Sequence, residues 1–192
     1  MIAIIKYNAG NTRSVQNAVN RLGYDCKVTD DLDEIRLAEK IILPGVGEAS
    51  SAMQYFKERG LDKLIVSLKQ PFLGICLGLQ IMCNHSEEND TNCLGIFNVD
   101  VKKFPPLNLV PHMGWNNLQN IGGELFKNIT TSENLYFVHS YFAEIGPQSI
   151  ATCDYILPFS AAMKKDNFYA TQFHPEKSAN AGADILKNFL EL

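Results

Sequence analysis

The sequence predicts an α/β fold: an open, mostly parallel sheet flanked by helices, with added antiparallel or mixed strands in its second half. Short apolar runs alternate with helical periodicity through the first half, which is typical of a parallel sheet covered by helices on both faces. From Asn98 onward, short β-like runs follow one another between turns, which indicates antiparallel pairing. The 192 residues are 46% hydrophobic and 20% charged, which favours one globular domain spanning 1–192.

The elements of the first half can be taken in order. Strands are expected at Ile2–Ile5, 25–28, Lys40–Leu43 and Phe72–Ile75, with helices at 12–22, 48–59 and 61–68 and a short acidic helix opening at 30–34. Residues 7–14 form the predicted turn into the first helix, which ends near Gly23. This turn lacks the G-x-G-x-x-G pattern, so a dinucleotide site is disfavoured.

The second half begins with a polar segment, 86–92, that is expected to be a loop. Its predicted strands are 99–103, 115–118, 135–138, 150–153, 159–164 and 168–173. Apolar residues at helical spacing in 181–192 predict an amphipathic closing helix that packs on the core.

The segment 71–80, PFLGICLGLQ, places Cys76 between a buried strand and a helix. Glycines at 74 and 78 suit a tight strand-to-helix corner, where side chains beside a nucleophile would collide. The serine form of this pattern is the nucleophile elbow, and a helix N-terminus lowers the pKa of a thiol. The alternative is that Cys76 is only a small buried apolar residue.

A second candidate segment, 169–176, is a predicted strand that runs into His174, Pro175 and Glu176. Residues two apart in an extended segment point to one side, so Glu176 is expected to orient the imidazole of His174. With Cys76 these residues predict a Cys-His-Glu triad, in which His174 takes the thiol proton and later protonates the leaving amine. A strand end with a proline and a solvated glutamate is the alternative for this segment alone.

A third candidate is 44–47, PGVG, which follows the third strand. The carboxyl ends of parallel strands share one edge of a sheet, so this segment is expected beside Cys76. We expect backbone N–H groups of Val46, Gly47 and Leu77 to form an oxyanion hole. A plain strand-ending turn is the alternative for 44–47.

Composition excludes several classes of function. The net charge of −4 gives no sign of nucleic-acid or anionic-membrane binding, and no apolar run is long enough to span a bilayer. Five cysteines without a C-x-x-C pair and four dispersed histidines predict no disulfide framework, no metal site and no cofactor. With no signal-peptide pattern at the N-terminus, the expected location is the cytosol.

The motifs GICLGLQ at 74–80 and HPE at 174–176 together resemble the triad (class I) glutamine amidotransferases, nearly over the whole chain. Further motifs narrow the resemblance to the glutaminase subunits of imidazole glycerol phosphate synthase: PGVG at 44–47, PHMGWN at 111–116, YFVHSY at 136–141 and HPEKS at 174–178. The resemblance implies a flavodoxin-like sheet and L-glutamine as substrate, contacted by Gln80, Glu88 and Ser140. Residues implied at a subunit interface are Asn11, His112, Met113, Trp115 and Asn116.

The resemblance also implies a partner. In that family, ammonia passes to a separate (β/α)₈-barrel cyclase, which makes imidazole glycerol phosphate and an aminoimidazole carboxamide nucleotide (AICAR) in histidine biosynthesis. A barrel of this type normally takes about 250 residues, so the cyclase is expected to be another polypeptide in a heterodimer. Three alternatives stay open: a glutaminase subunit of another synthase, such as that of pyridoxal phosphate, a catalytically silent interaction subunit, and a general cysteine hydrolase or peptidase.

Overall fold

The computed structural model describes residues 1–8 and 10–192; Ala9, within the predicted turn before the first helix, lies outside the described residues. The strands are β1 (Ile2–Ile5), β2 (Cys26–Thr29), β3 (Lys40–Leu43), β4 (Phe72–Ile75), β5 (His85–Ser86), β6 (Thr91–Asn92), β7 (Asp100–Lys103), β8 (His112–Asn117), β9 (Asn134–His139), β10 (Tyr141–Ala143), β11 (Ser149–Asp154), β12 (Pro158–Lys165) and β13 (Phe168–Thr171). The α-helices are α1 (Thr12–Arg21), α2 (Leu32–Leu37), α3 (Ala49–Arg59), α4 (Leu61–Ser67), α5 (Leu77–Met82) and α6 (Ala179–Leu190).

The main sheet has seven strands in the order β11-β12-β13-β4-β3-β1-β2. The five strands from β13 to β2 are parallel, whereas β11 and β12 pair antiparallel at one edge. The predicted fold class is therefore confirmed, including the added antiparallel strands of the second half. Because β4 lies between β3 and β13, the segments that follow these three strands meet at one edge of the sheet.

Each face of the sheet carries its own apolar core, because successive side chains of a strand point to opposite faces. In β1, Ala3 and Ile5 pack on the face covered by α2, α3, α4 and α5. Ile2 and Ile4 pack on the opposite face, against α1 and α6. This arrangement explains why the parallel strands are apolar almost throughout rather than alternating.

Two helix boundaries follow from local chemistry. Asp31 caps α2, since its side chain accepts hydrogen bonds from the N–H groups of Asp33 and Glu34. Gly60 ends α3 in the left-handed conformation at φ 71°, where glycine has no steric penalty. Both features agree with the predicted acidic helix start and the predicted helix end at Gly60.

The second half also builds two smaller sheets. One has the strand order β10-β7-β5-β6, and the other is the antiparallel ribbon of β8 and β9. The expectation of a simple loop at 86–92 was incomplete, because Ser86 pairs with Thr91 and also with Val101. Within residues 1–8 and 10–192, none of the helices has both the length and the apolar character needed to cross a bilayer.

Candidate active site

Cys76 forms the corner between β4 and α5. Its backbone adopts φ 53° and ψ −104°, a strained conformation for a residue with a Cβ atom. The corner is therefore made at the cysteine itself, not at Gly74, which lies within β4, or at Gly78, which lies within α5. Such a corner presents the thiol at the end of the strand.

The neighbouring glycines allow three segments to approach closely. A Cβ atom on Gly78 would lie 2.4 Å from the carbonyl oxygen of Leu43, and one on Gly74 would lie 2.6 Å from the sulfur of Met82. A Cβ on Gly45 would lie 2.6 Å from the backbone nitrogen of Gly78. The expectation that side chains would collide at this corner is confirmed, and the same absence of side chains brings 44–47 against the start of α5.

His174 and Glu176 lie together in the protein interior. The Nδ1 atom of His174 is 2.8 Å from Oε1 of Glu176, and both side chains are 1% exposed. Since a carboxylate only accepts, Nδ1 carries the proton and Nε2 is left free as a base. Nε2 is buried and has no hydrogen-bond partner among the described residues, as required of an atom that is to take a proton from a thiol.

The route by which these two side chains meet differs from the sequence prediction. β13 ends at Thr171, and Pro175–Lys177 forms a 3₁₀ turn instead of continuing an extended segment. Pro175 occupies the first position of this turn, where its fixed φ and missing N–H are favourable. The turn, rather than the two-residue repeat of a strand, brings the carboxylate back to the imidazole.

The electrostatics favour a charged His174. Burial alone would lower the pKa of the imidazole, but the negative charge on Cys76 and the bond to Glu176 raise this pKa above its ordinary value. The histidine thus holds a proton most strongly when the neighbouring sulfur is a thiolate. The arrangement is suited to a thiolate–imidazolium pair.

Backbone groups of the predicted oxyanion hole also lie at this corner. The N–H of Leu77 donates to the carbonyl of Gly45 over 3.3 Å, a long hydrogen bond. The carbonyl of Val46 accepts from the N–H of Gly10 at 2.8 Å, and Gly47 adopts φ 134°. In this arrangement the Leu77 donor is already occupied by 44–47, and a substrate oxygen would have to displace that carbonyl.

A cavity of about 310 Å³ opens beside the thiol. Its lining includes every residue predicted for the oxyanion hole and the substrate, together with Cys76: Val46, Gly47, Leu77, Gln80, Glu88 and Ser140. His174 and Glu176 do not line it and lie behind the sulfur. A cavity of this size falls at the lower end of the range for small-molecule sites.

Glu88 joins this cavity to the start of α3. Its Oε2 atom accepts a 2.7 Å hydrogen bond from the N–H of Ala49, which leaves Oε1 for a ligand. Burial raises the pKa of the carboxyl group, while the bond from Ala49 opposes that change. A half-buried carboxylate of this kind can bind the ammonium group of an amino acid.

Comparison with known proteins agrees with this geometry. The family model "Glutamine amidotransferase class-I" matches residues 3–192. Proteins named imidazole glycerol phosphate synthase subunit HisH are similar along the entire chain: that of Bacteroides fragilis strain YCH46 is 55% identical, and that of Escherichia coli K12 is 48% identical, with 100% of this chain and 99% of each relative covered.

The chain belongs to the HisH family of class I glutamine amidotransferases.

Solved structures extend the likeness at the level of the fold. A protein from Thermoplasma acidophilum described as part of a putative GMP synthase superposes with a TM-score of 0.77 at 21% identity, covering 100% of this chain and 92% of the other. A structure described as a glutamine amidotransferase gives a TM-score of 0.77 at 18% identity, covering 100% and 98%. This HisH-family chain therefore shares its overall fold with these two proteins despite the low sequence identity.

The expected interface residues of this HisH-family chain divide between surface and interior. Met113 and Trp115 point outward from β8 and are 63% and 55% exposed, whereas Asn11 and Asn116 are half-buried. His112 is buried: its ring lies 4.1 Å from that of Tyr155, centroid to centroid. Successive side chains of β8 point to opposite faces of the strand, so His112 points inward and Met113 points outward.

Four further residues around the cavity were not predicted as site residues from the sequence. Pro111, Val138, His139 and Tyr141 line it. Gln172 was missed as well, although its Nε2 atom lies 3.5 Å from the Cys76 sulfur. Its only sequence signal is its position two residues before His174, at the end of an apolar strand.

Proposed function

We propose that this chain hydrolyses glutamine to glutamate and ammonia through a thioester on Cys76, and that it delivers the ammonia to a separate cyclase. As a member of the HisH family, the chain is the glutaminase subunit of imidazole glycerol phosphate synthase, an enzyme of histidine biosynthesis. The observation that carries the catalytic proposal is the placement of a thiol in the wall of a cavity, with a buried His174–Glu176 pair behind it.

The reaction begins with proton transfer from the thiol to Nε2 of His174. The sulfur attacks the side-chain amide carbon of glutamine and forms a C–S bond, while the carbonyl oxygen becomes an oxyanion. The imidazolium then returns its proton to the amide nitrogen, the C–N bond breaks, and ammonia leaves. Glu176 holds the histidine tautomer and stabilises its positive charge.

Water completes the cycle. His174, neutral again, removes a proton from a water molecule that attacks the γ-glutamyl thioester, and the thiolate leaves with glutamate as the product. We assign the carboxylate of Glu88 and the amide of Gln80 to the amino-acid end of the substrate, with Ser140, which lines the same cavity, as a further contact. These contacts would place the side-chain amide against Cys76.

The oxyanion hole is the part that we propose to be incomplete without the partner. The N–H of Leu77 is bonded to the carbonyl of Gly45, and the Val46 carbonyl is bonded to Gly10. For two N–H groups to meet the oxyanion, the backbone of 44–47 has to rearrange. Losing one oxyanion donor typically costs on the order of 10²–10³ in rate, so low activity of the isolated chain is expected.

The proposed partner is a (β/α)₈-barrel cyclase that uses the ammonia to form imidazole glycerol phosphate and AICAR, so the active form would be a heterodimer with lyase activity. The exposed side chains of Met113 and Trp115 support β8 as a contact surface, since large exposed aromatic residues are frequent interface anchors. The cytosolic location expected from the sequence belongs to the same proposal.

The test is glutamate release from glutamine, measured with the chain alone and with the cognate cyclase and its nucleotide ligand. Strong stimulation by cyclase and ligand together is expected. Equal turnover with and without them would overturn the partner proposal while leaving the glutaminase.

Two cysteine variants test the chemistry. Cys76→Ala should abolish glutamate release in the complex and covalent labelling by a glutamine-like electrophile. Cys26→Ala is the matched control, because Cys26 lies on the edge strand β2, away from the cavity, and its loss should leave both readouts unchanged. Turnover by Cys76→Ala would remove Cys76 from its role.

A further inference from the structure

Gln172 connects the nucleophile to the substrate-binding wall. It is fully buried, immediately after β13. Its Nε2 atom lies 3.5 Å from Sγ of Cys76, and its Oε1 atom lies 3.1 Å from Nε2 of Gln80. The reaction steps proposed for Cys76 and His174 do not use this buried amide, which bridges the two side chains.

The orientation of both amides is fixed by one backbone carbonyl. Nε2 of Gln80 also lies 2.9 Å from the carbonyl oxygen of Tyr141, which can only accept. Gln80 must therefore present its NH₂ group to Tyr141, and that same NH₂ group meets the carbonyl oxygen of the Gln172 side chain. It follows that Gln172 turns its own NH₂ group toward the sulfur of Cys76.

A histidine pair holds the same carbonyl from the other side. Nδ1 of His139 lies 2.8 Å from the Tyr141 oxygen, so this nitrogen carries the proton and Nε2 of His139 is an acceptor. Nδ1 of His112 lies 3.1 Å from that Nε2 and therefore donates to it. Both rings are neutral in this arrangement, in agreement with their burial, which lowers the pKa of each.

We propose that Gln172 is a positioning residue with two contacts. It donates an N–H to the Cys76 thiolate, and its Oε1 atom orients the side chain of Gln80 so that the Oε1 atom of Gln80 is free for the substrate ammonium. The inference depends on the proposed role of Cys76, but the proposed mechanism gives Gln172 no role. A hydrogen bond donated to an anion stabilises it, so Gln172 favours the ionised sulfur without adding a charge.

Two substitutions separate this role from a purely structural one. Gln172→Glu keeps an oxygen for Gln80 but replaces the NH₂ group near the sulfur with a second oxygen. Gln172→Met keeps the length and removes both polar groups. Gln148→Glu is the matched control, because it makes the same chemical change at a glutamine that does not line the cavity.

The readout is the pH dependence of Cys76 alkylation by iodoacetamide, followed on the Cys76 peptide by mass spectrometry. This measurement needs neither turnover nor the cyclase, and it is not affected by the other four cysteines. The titratable groups around this region keep their identity in all three variants: His174 and Glu176 after β13, His139 on β9, Tyr141 on β10, Tyr7 after β1, and Glu88 in the cavity wall.

The expected result is a rise in the apparent pKa of the Cys76 thiol of about one unit in Gln172→Met, since hydrogen bonds to charged groups are typically equivalent to one to two pKa units. The rise should be larger in Gln172→Glu and absent in Gln148→Glu. In the cyclase complex, Gln172→Met should also raise the KM for glutamine, because Gln80 is no longer oriented.

Thermal unfolding shows which variants are folded, and the proposal is judged on those. If Gln172→Glu does not fold, Gln172→Met alone decides. A wild-type alkylation profile in folded Gln172→Met would overturn the proposal, whatever the glutaminase assay shows. A shifted profile combined with turnover by Cys76→Ala would instead overturn the proposed function.

Discussion

Replacing Gly78 by alanine tests how closely the active-site corner is packed. Two effects oppose each other. Alanine inside a helix is more favourable than glycine by about 0.8–1 kcal/mol, so the helix propensity of α5 predicts stabilisation. The added Cβ, however, would lie 2.4 Å from the carbonyl oxygen of Leu43, and Cβ contacts under 3.0 Å are essentially never seen.

The cost of the steric clash is expected to exceed the gain in helix propensity. To reach 3.0 Å, the contact must open by about 0.6 Å between two backbone segments, neither of which has a flexible end to move aside. Overpacking of this kind costs about 1–3 kcal/mol, which exceeds the gain in propensity over most of its range. The net cost is then at most about 2.2 kcal/mol, and at about 2–4 °C per kcal/mol for a protein of this size the fall in Tm is at most about 9 °C.

Activity should fall more steeply than stability. Leu43 is the last residue of β3 and leads directly into 44–47, so the displacement is passed to the predicted oxyanion hole. A shift of about 1 Å can cost on the order of 10²-fold in rate, and one of about 0.6 Å is therefore expected to cost at least about tenfold in kcat/KM. The assay is glutamate release in the cyclase complex, with Tm measured by calorimetry.

Gly122→Ala is the matched control, because the nearest atom to its added Cβ is the Ile150 carbonyl oxygen at 3.9 Å and its φ is not positive. This change should leave Tm and kcat/KM nearly as in the wild type. A Gly78→Ala protein with a Tm at or above wild type and unchanged kcat/KM would show that the corner is looser than described, and the reasoning would fail.

Three further predictions concern the triad, the surface and the response to acid. Glu176→Gln should lower kcat on the order of 10²-fold or more, because the imidazolium of His174 loses its counter-charge; a wild-type pH–rate profile would contradict this. Trp115→Ala should weaken cyclase binding at least about tenfold by calorimetry with little change in Tm, because the side chain is 55% exposed; an unchanged Kd would remove it from the interface. The folded-state pKa values of His112 and His139, about 4 and about 3, lie below the ordinary 6.5, so the unfolded chain binds these protons first and stability falls as the pH drops below about 6.5. By pH 5 each histidine accounts for a loss on the order of 2 kcal/mol in urea unfolding, and the pair for about 4 kcal/mol; an equal loss in a His112→Asn variant would exclude His112 as a source.

The parts of the fold that depend on local chemistry were predictable from the sequence. β4 was expected at Phe72–Ile75 and is found there, because an apolar run ends where helical periodicity begins. The end of α3 at Gly60 was likewise predictable from the sequence, since few other residues adopt φ 71° without strain. Val46, Cys76 and Ser140 line one cavity. Their proximity was expected from the family resemblance and because the carboxyl ends of parallel strands share one edge of a sheet.

Other features depend on distant contacts and left no local signal. The two-residue pairing of His85–Ser86 with Thr91–Asn92 is too short to show any periodicity. Gln172 has an ordinary strand-end sequence, and its bridge to Gln80 exists only because α5 and β13 lie side by side. The burial of His112 depends on packing against Tyr155, forty-three positions along the chain.

The central place of β4 has a consequence for how the protein is made. β4 pairs with β13, so Phe72 lies beside Phe168, and Cys76 leaves the ribosome long before His174, which follows β13. Until that partner arrives, one edge of β4 is open and Cys76 has no histidine beside it. Long-range parallel pairing of this kind folds slowly, and the open edge can pair with other chains. Under the proposed mechanism, Cys76 would gain its base only at the last stage of synthesis, and a fragment that ends before β13 would be inert and prone to aggregation.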